Sequence, residues 1–269
     1  MNKFAEGFKN TLTWKIGSNL LKEAISGFES IGEIGNNFAQ VMVYVFKGWV
    51  SYKNTLNQSA IFGFDSLLMS LSMVGLSGMI IALQISAEMV KQGAGSYVGM
   101  LVTMAIIREI GPIMAGFAVI SMVGSAMAAE IATMKVTEQV DAMKVLGVNP
   151  VYFLIVPRVL AGFIIMPFAV VLANLTGILG GMFTSYIVSD LGVQNYIDSV
   201  WLGLSEKDIY VSLLKASLFG GIIALVSASM GYKTEGGAKE VCQATTNAVV
   251  WSFIAIVILD YIISLMFFD

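Results

Sequence analysis

The chain has 269 residues, of which 57% are hydrophobic and 12% charged, and its mean hydropathy is +0.81. Soluble domains carry about 25% charged residues, so this composition belongs to a protein built into a lipid bilayer, where the formal net charge of -3 matters less than which loops carry the charges. The absence of histidine removes the commonest general base, proton shuttle and metal ligand, and the single cysteine, Cys242, excludes an intrachain disulfide and a thiol metal cluster.

Residues 1–60 are predicted to form an interfacial amphipathic region rather than a crossing. Phe4, Phe8, Leu12 and Ile16 recur every four residues, and Leu20, Leu21, Ala24, Ile25, Phe28 and Ile31 then line one side against Lys22, Glu23, Glu29 and Glu33. Phe38, Val41, Met42, Val45, Phe46 and Trp49 continue the pattern, with lysines placed to sit at headgroup level. No compact apolar core with a small-residue cleavage site precedes them, so no removable signal peptide is expected.

Residues 61–269 read as a membrane domain of five helices. The first span runs over about 64–90, with Gly75, Ser77 and Gly78 permitting close helix approach. The second covers about 101–129 and contains adjacent Arg108 and Glu109, which are costly in hydrocarbon unless they face protein, water or each other. Gly111 and Pro112 follow at once and predict a kink. A charge pair beside a kink suggests a cavity wall; the alternative is a pair at the membrane face snorkelling to water.

Between the second and third spans, residues 130–149 change in character. Glu130, Lys135, Glu138, Asp141 and Lys144 alternate with Ile131, Met134, Val140, Met143 and Leu146 at helical spacing, and Gly147, Asn149 and Pro150 close the segment. This spacing predicts a short amphipathic helix on the membrane surface that offers one face to a soluble partner. The third span, about 152–186, carries Pro157, Pro167 and a GxxxG spacing at Gly177 and Gly181. Residues 190–208, with Tyr196 and Trp201, are expected as an extracytoplasmic loop with a short interfacial helix. The fourth span, about 209–230, holds Lys215; the loop 231–246 carries Lys233, Glu235, Lys239 and Glu240; the fifth span, about 248–268, contains Asp260.

Lysines concentrate in residues 1–60, in 130–149 and in 231–246, whereas the opposite side has only Lys91 and Lys207 near it. The positive-inside bias therefore places the N-terminus and those loops in the cytoplasm and the C-terminus outside. No catalytic function is expected: there is no GxSxG elbow, and Gly231-Tyr232-Lys233-Thr234 lacks the adjacent Gly-Lys of a GxxxxGK[ST] phosphate loop.

The runs REIGP at 108–112, GSAMAAEIATMKVTEQVDAM at 124–143, LLKAS at 213–217, Leu259-Asp260 and the terminal LMFF resemble the MlaE family, over roughly residue 67 to the C-terminus. Members are permease subunits of ABC transporters that move phospholipid between the inner and outer membranes of Gram-negative bacteria. The family usually has Gly-Arg where this chain has Ser121 and Met122, and Gly where Ala132 stands. Asp141-Ala142-Met143 followed by Gly147 is similar to the loop by which ABC importer permeases grip their ATPase.

The resemblance implies an all-α inner-membrane permease working as a homodimer whose copies meet along small-residue faces. ATPase subunits would bind all the ATP and Mg, a periplasm-facing MCE lipid-binding protein and often a small STAS-domain protein would join, and no nucleic acid or metal is implicated. Glu130, Lys135, Glu138 and Asp141 are then the residues expected at the ATPase contact. Arg108, Glu109, Lys215 and Asp260, two positive and two negative, fall within the matching runs. They are expected either to pair across helices or, with Arg108 and Lys215 holding the phosphate, to line a lipid cavity. An ion-coupled secondary transporter of an amphipathic substrate is the alternative, with Asp260 as its midplane carboxylate; no internal repeat supports it.

Overall fold

Among the described residues, five helices are long and apolar enough to cross a membrane, and each coincides with an expected span. The structure, a computed structural model, describes residues 12–268; the repeat at Phe4 and Phe8, and the side chains of its continuation through Ile25 and at Phe28, lie outside the described residues. Helix α1 (Leu12–Phe46) precedes α2 (Tyr52–Lys91), the first crossing. The second crossing is composite: α3 (Val98–Ala105), α4 (Gly111–Val119) and α5 (Ser125–Val136) are joined by π-helical turns at Ile106–Ile110 and Ile120–Gly124. Short α6 (Gln139–Val145) leads to a π-turn at Val151–Ile155 and α7 (Val156–Ser189), then α8 (Val193–Gly203), α9 (Glu206–Tyr232) and α10 (Ala238–Phe268). The described residues contain no strand.

The first crossing starts earlier than hydropathy suggests. Residues 52–60, read as part of the interfacial region, continue unbroken into the first span, giving a helix of 40 residues. At 1.5 Å per residue that is about 60 Å, roughly twice the hydrocarbon thickness, so the helix extends beyond it.

Glycine sets how closely the crossings pack. Helices α2 and α7 run parallel: a Cβ on Gly78 would collide with the backbone of Gly177, and one on Gly180 would lie 2.7 Å from the Gly75 carbonyl. Thr176 Oγ1 donates to the Leu71 carbonyl at 3.1 Å, and Ser189 Oγ to Ser86 Oγ at 2.9 Å. Helices α7 and α9 meet at Gly162 and Gly220, each of which would drive a methyl into the other's carbonyl. These small-residue contacts lie between helices of one chain.

The core lies where the crossings converge, around Val74, Ile106, Val170, Phe219 and Ile256. Two peripheral helices close on it. Tyr196 of α8 is buried and Ser199 Oγ accepts the Met100 N–H at 2.9 Å, so the excursion after the third span folds back onto the end of the bundle. Helix α1 docks at the other end: Val41 packs with Ile131, Ile155 and Leu225, and Asn37 Nδ2 donates to Ser229 Oγ at 3.0 Å. One face of this helix is therefore held against protein.

Candidate functional site

Pro112, at the start of α4, has no N–H to offer the Arg108 carbonyl four residues before it. The chain passes this point in a π-helical turn, and the freed carbonyl accepts a hydrogen bond from Lys215 Nζ at 2.8 Å. The wholly buried Lys215 directs two more hydrogen bonds to Glu109 Oε2, at 2.9 Å, and Ser264 Oγ, at 2.7 Å. Ser264 Oγ donates in turn to Glu109 Oε1 at 2.8 Å. Asp260 Oδ1 stands 2.8 Å from the same ammonium, but three hydrogens cannot serve four oxygens, so attraction of charge rather than a hydrogen bond holds it.

Arg108 turns away from this cluster. Its Nη2 pairs with Asp208 Oδ2 of α9 at 3.1 Å, and its guanidinium lies 4.8 Å from the centre of the Phe268 ring. The structure therefore unites three of the four expected intramembrane residues and gives Arg108, the neighbour of Glu109 in sequence, a separate partner in Asp208. In this structure Lys215 takes the pairing arrangement: it is buried, and its three hydrogens go to Arg108, Glu109 and Ser264. Arg108, with 32% of its side chain exposed, and Glu109, with 40%, keep open surface. Asp260 is beside Lys215 rather than alone in its span.

The residues expected at a partner contact lie at the other end of the bundle. Residues 130–149 are not one amphipathic helix: α5 continues the second crossing to Val136, and Glu138, at φ 61°, makes a left-handed break before the seven-residue α6. Glu130 and Lys135 therefore stand on the last turns of a membrane helix. Glu130 Oε2 pairs with Arg158 Nη2 of α7 at 2.6 Å, and Arg158 Nη1 donates to the Leu154 carbonyl at 2.9 Å. Asp141 is held by Lys144 at 2.9 Å and by Lys135 at 3.1 Å, bonds that keep its carboxyl below the usual range, that to Lys144 contributing most. The Lys135–Asp141 bridge crosses the break and folds α6 back against α5. Glu138 is exposed, and so are Val145 and Leu146 at the tip of α6. Gly147, at φ 78°, ends the helix, and Asn149 Oδ1 accepts the Val151 N–H at 2.9 Å to start the next.

Three contributors escaped the sequence reading: Arg158, Asp208 and Ser264. An arginine within an apolar span is a legible signal, and Arg158 satisfies it. Asp208 read as part of a loop, although it lies in the first turn of α9, and Ser264 is a small polar residue with no pattern around it.

Residues 55–266 match the family model of permease MlaE. A probable ABC transporter permease protein of Synechocystis is 35% identical over 86% of this chain and 88% of its own length, and one from Rickettsia felis is 35% identical over 94% and 98%. The protein TRIGALACTOSYLDIACYLGLYCEROL 1, chloroplastic, of Arabidopsis thaliana is 35% identical over 86% of this chain and 66% of its own length.

Proposed function

The chain belongs to the MlaE permease family, and as a membrane permease of an ABC transporter we propose that it moves phospholipid between the inner and outer membranes of a Gram-negative cell, as a homodimer. The observation that carries this reading is the pair of sites at opposite ends of one composite helix. One end of the second crossing bears partly exposed Arg108 and Glu109; the other runs into α6 with its exposed Val145 and Leu146. The Arabidopsis relative is named for a galactolipid, which favours a lipid cargo.

ATPase subunits, which bind the ATP and Mg, dock on α6 and on Glu138 beside it. Their closure is transmitted through α5 and the two π-turns, which can shift by a residue without breaking the helix, to the charged end. There Arg108 exchanges Asp208 for the lipid phosphate, while the Lys215 cluster fixes the helices around it. The lysine-bearing segments gather at one end, as Asn149–Tyr44 at 2.8 Å and Lys233–Glu33 at 3.9 Å illustrate, which supports a cytoplasmic N-terminus and a periplasmic C-terminus. A periplasmic MCE protein receives or delivers lipid at the opposite end, and a STAS-domain protein acts on the cytoplasmic side.

Reconstitution with the ATPase subunits in proteoliposomes tests the proposal. ATP should drive transfer of a fluorescent phospholipid. An assembled complex that hydrolyses ATP and moves none overturns the lipid assignment, and failure of any ATPase to bind overturns the docking site.

A further inference from the structure

We propose that the crevice between α2 and α7 binds a zwitterionic diacyl phospholipid, at a site remote from the Lys215 cluster and independent of any transported lipid. At the end where both helices begin, a cavity of about 170 Å³ is bordered by the amides of Asn54, Asn57 and Gln58 and by the Glu130–Arg158 pair. Arg158 is 3% exposed, yet its Nε has no acceptor among the described residues. A buried guanidinium N–H without a partner is costly, and phosphate oxygen is the acceptor it suits best.

The crevice changes character one or two turns further along. A second cavity of about 290 Å³ is apolar and is bordered by Gly63, Phe64 and Leu67 of α2 and by Ile165, Phe168 and Leu172 of α7. Because the helices run parallel, Gln58 to Gly63 and Arg158 to Ile165 advance in the same direction, by about 8–10 Å at 1.5 Å per residue. That offset sets a polar cradle above an oily groove, the spacing of a glycerophosphate above its acyl chains. Phe64 and Phe168 are largely exposed, so the groove opens to the surrounding membrane.

Charge selects the headgroup. Glu130 occupies Arg158 Nη2 and leaves the pair neutral, which disfavours a polyanion. A phosphodiester meets Arg158 Nε and the amides while a headgroup ammonium meets the Glu130 carboxylate, whose side chain is 49% exposed. Phosphatidylethanolamine has both groups.

The test uses the full chain in nanodiscs with phosphatidylethanolamine carrying a photoreactive acyl chain. Cross-links should concentrate on peptides containing Gly63–Leu67 and Ile165–Phe168, above the level on the exposed Val257–Ile258 face of α10. Gly63→Leu fills the groove, since a Cβ there meets only Ile165, at 3.4 Å, and it should cut crevice labelling about tenfold, equivalent to about 1.4 kcal/mol of binding. Asn54→Ala with Asn57→Ala should do the same from the headgroup side, leaving α10 labelling unchanged. Labelling no higher in the crevice than on α10, or unaltered in both variants, overturns the site. Displacement by soluble glycerophosphoethanolamine at equal concentration overturns the lipid as its occupant.

Discussion

The ammonium of Lys215 hydrogen bonds the main-chain oxygen of Arg108, the carbonyl to which Pro112, four residues on, has no N–H to donate. A helix defect in the second crossing and a charge in the fourth thus satisfy each other, and Glu109, Asp260 and Ser264 complete the shell. The buried lysine is as much a backbone cap as an ion-pair partner.

Replacing that cap tests its weight. Lys215→Met leaves two carboxylates and a carbonyl facing no cation, and breaking a buried pair in this way costs about 3–5 kcal/mol. The purified variant should unfold at a clearly lower temperature in detergent. Adding Asp260→Asn should recover part of the loss by removing one stranded charge, and a single variant that melts with the wild type would show that the cluster does not hold the helices.

Arg108 and Asp208 separate structure from transport. Arg108→Gln removes a cation that retains surface, and ATP-driven phospholipid transfer should fall at least tenfold, or about 1.4 kcal/mol; it also strands the buried Asp208 carboxylate, so melting should fall too and recover when Asp208→Asn is added, while transfer stays low. Asp208→Asn frees the guanidinium instead and should leave transfer near wild type while tightening lipid binding. Equal loss in both variants, accompanied by equal destabilisation, assigns the pair to packing alone.

Much of this was legible in the sequence because the bilayer imposes strict rules. Five apolar runs became five crossings, and Pro112 marked the defect in the second. Partnership was less legible. Arg108 and Glu109 are neighbours in sequence, yet one turns to Asp208 and the other to Lys215, because adjacent helical positions are about 100° apart. The glycines announced close approach without saying to what, and Gly78 and Gly177 found each other rather than a second copy. The break at Glu138 was hidden because nothing about glutamate announces a positive φ.

Asp141 makes the loop sensitive to acid. Its carboxyl is lowered by Lys144 and then Lys135, so its contribution is fully present above the unfolded value of about 3.9 and is lost as pH falls through the lower folded value. Backbone hydrogen exchange in α6 should be faster in Asp141→Asn than in wild type at neutral pH, with the ratio of the two rates falling towards one below about pH 4. Taking the ratio cancels intrinsic exchange chemistry. A ratio of one at neutral pH would mean that the two lysines do not secure α6.

Cys242 reports orientation directly, being the single cysteine and exposed near the start of α10. A membrane-impermeant maleimide should label it in inverted vesicles and not in intact cells with a permeabilised outer membrane. The reverse pattern would place α6 in the periplasm, out of reach of any ATPase.

The docking end offers the sharpest separation of roles. Val145 and Leu146 are 88% and 79% exposed, so Leu146→Glu removes no contact within the chain and should leave melting unchanged. If this tip enters a pocket on the ATPase, the same change should weaken association by about 2 kcal/mol or more, roughly 30-fold, and ATPase recovered on purification should drop accordingly. Glu138→Lys tests the charge beside it without touching an ion pair seen in the structure. Glu138→Gly relieves the left-handed strain by about 1 kcal/mol and should raise stability while losing only what the carboxylate contributed to the partner. Glu130→Lys is the contrasting case: it sets a cation against buried Arg158 and should lower the melting temperature before any effect on coupling is reached. Should Leu146→Glu retain the ATPase in full while Glu130→Lys melts normally and loses it, the contact lies on the last turns of α5 and not on α6.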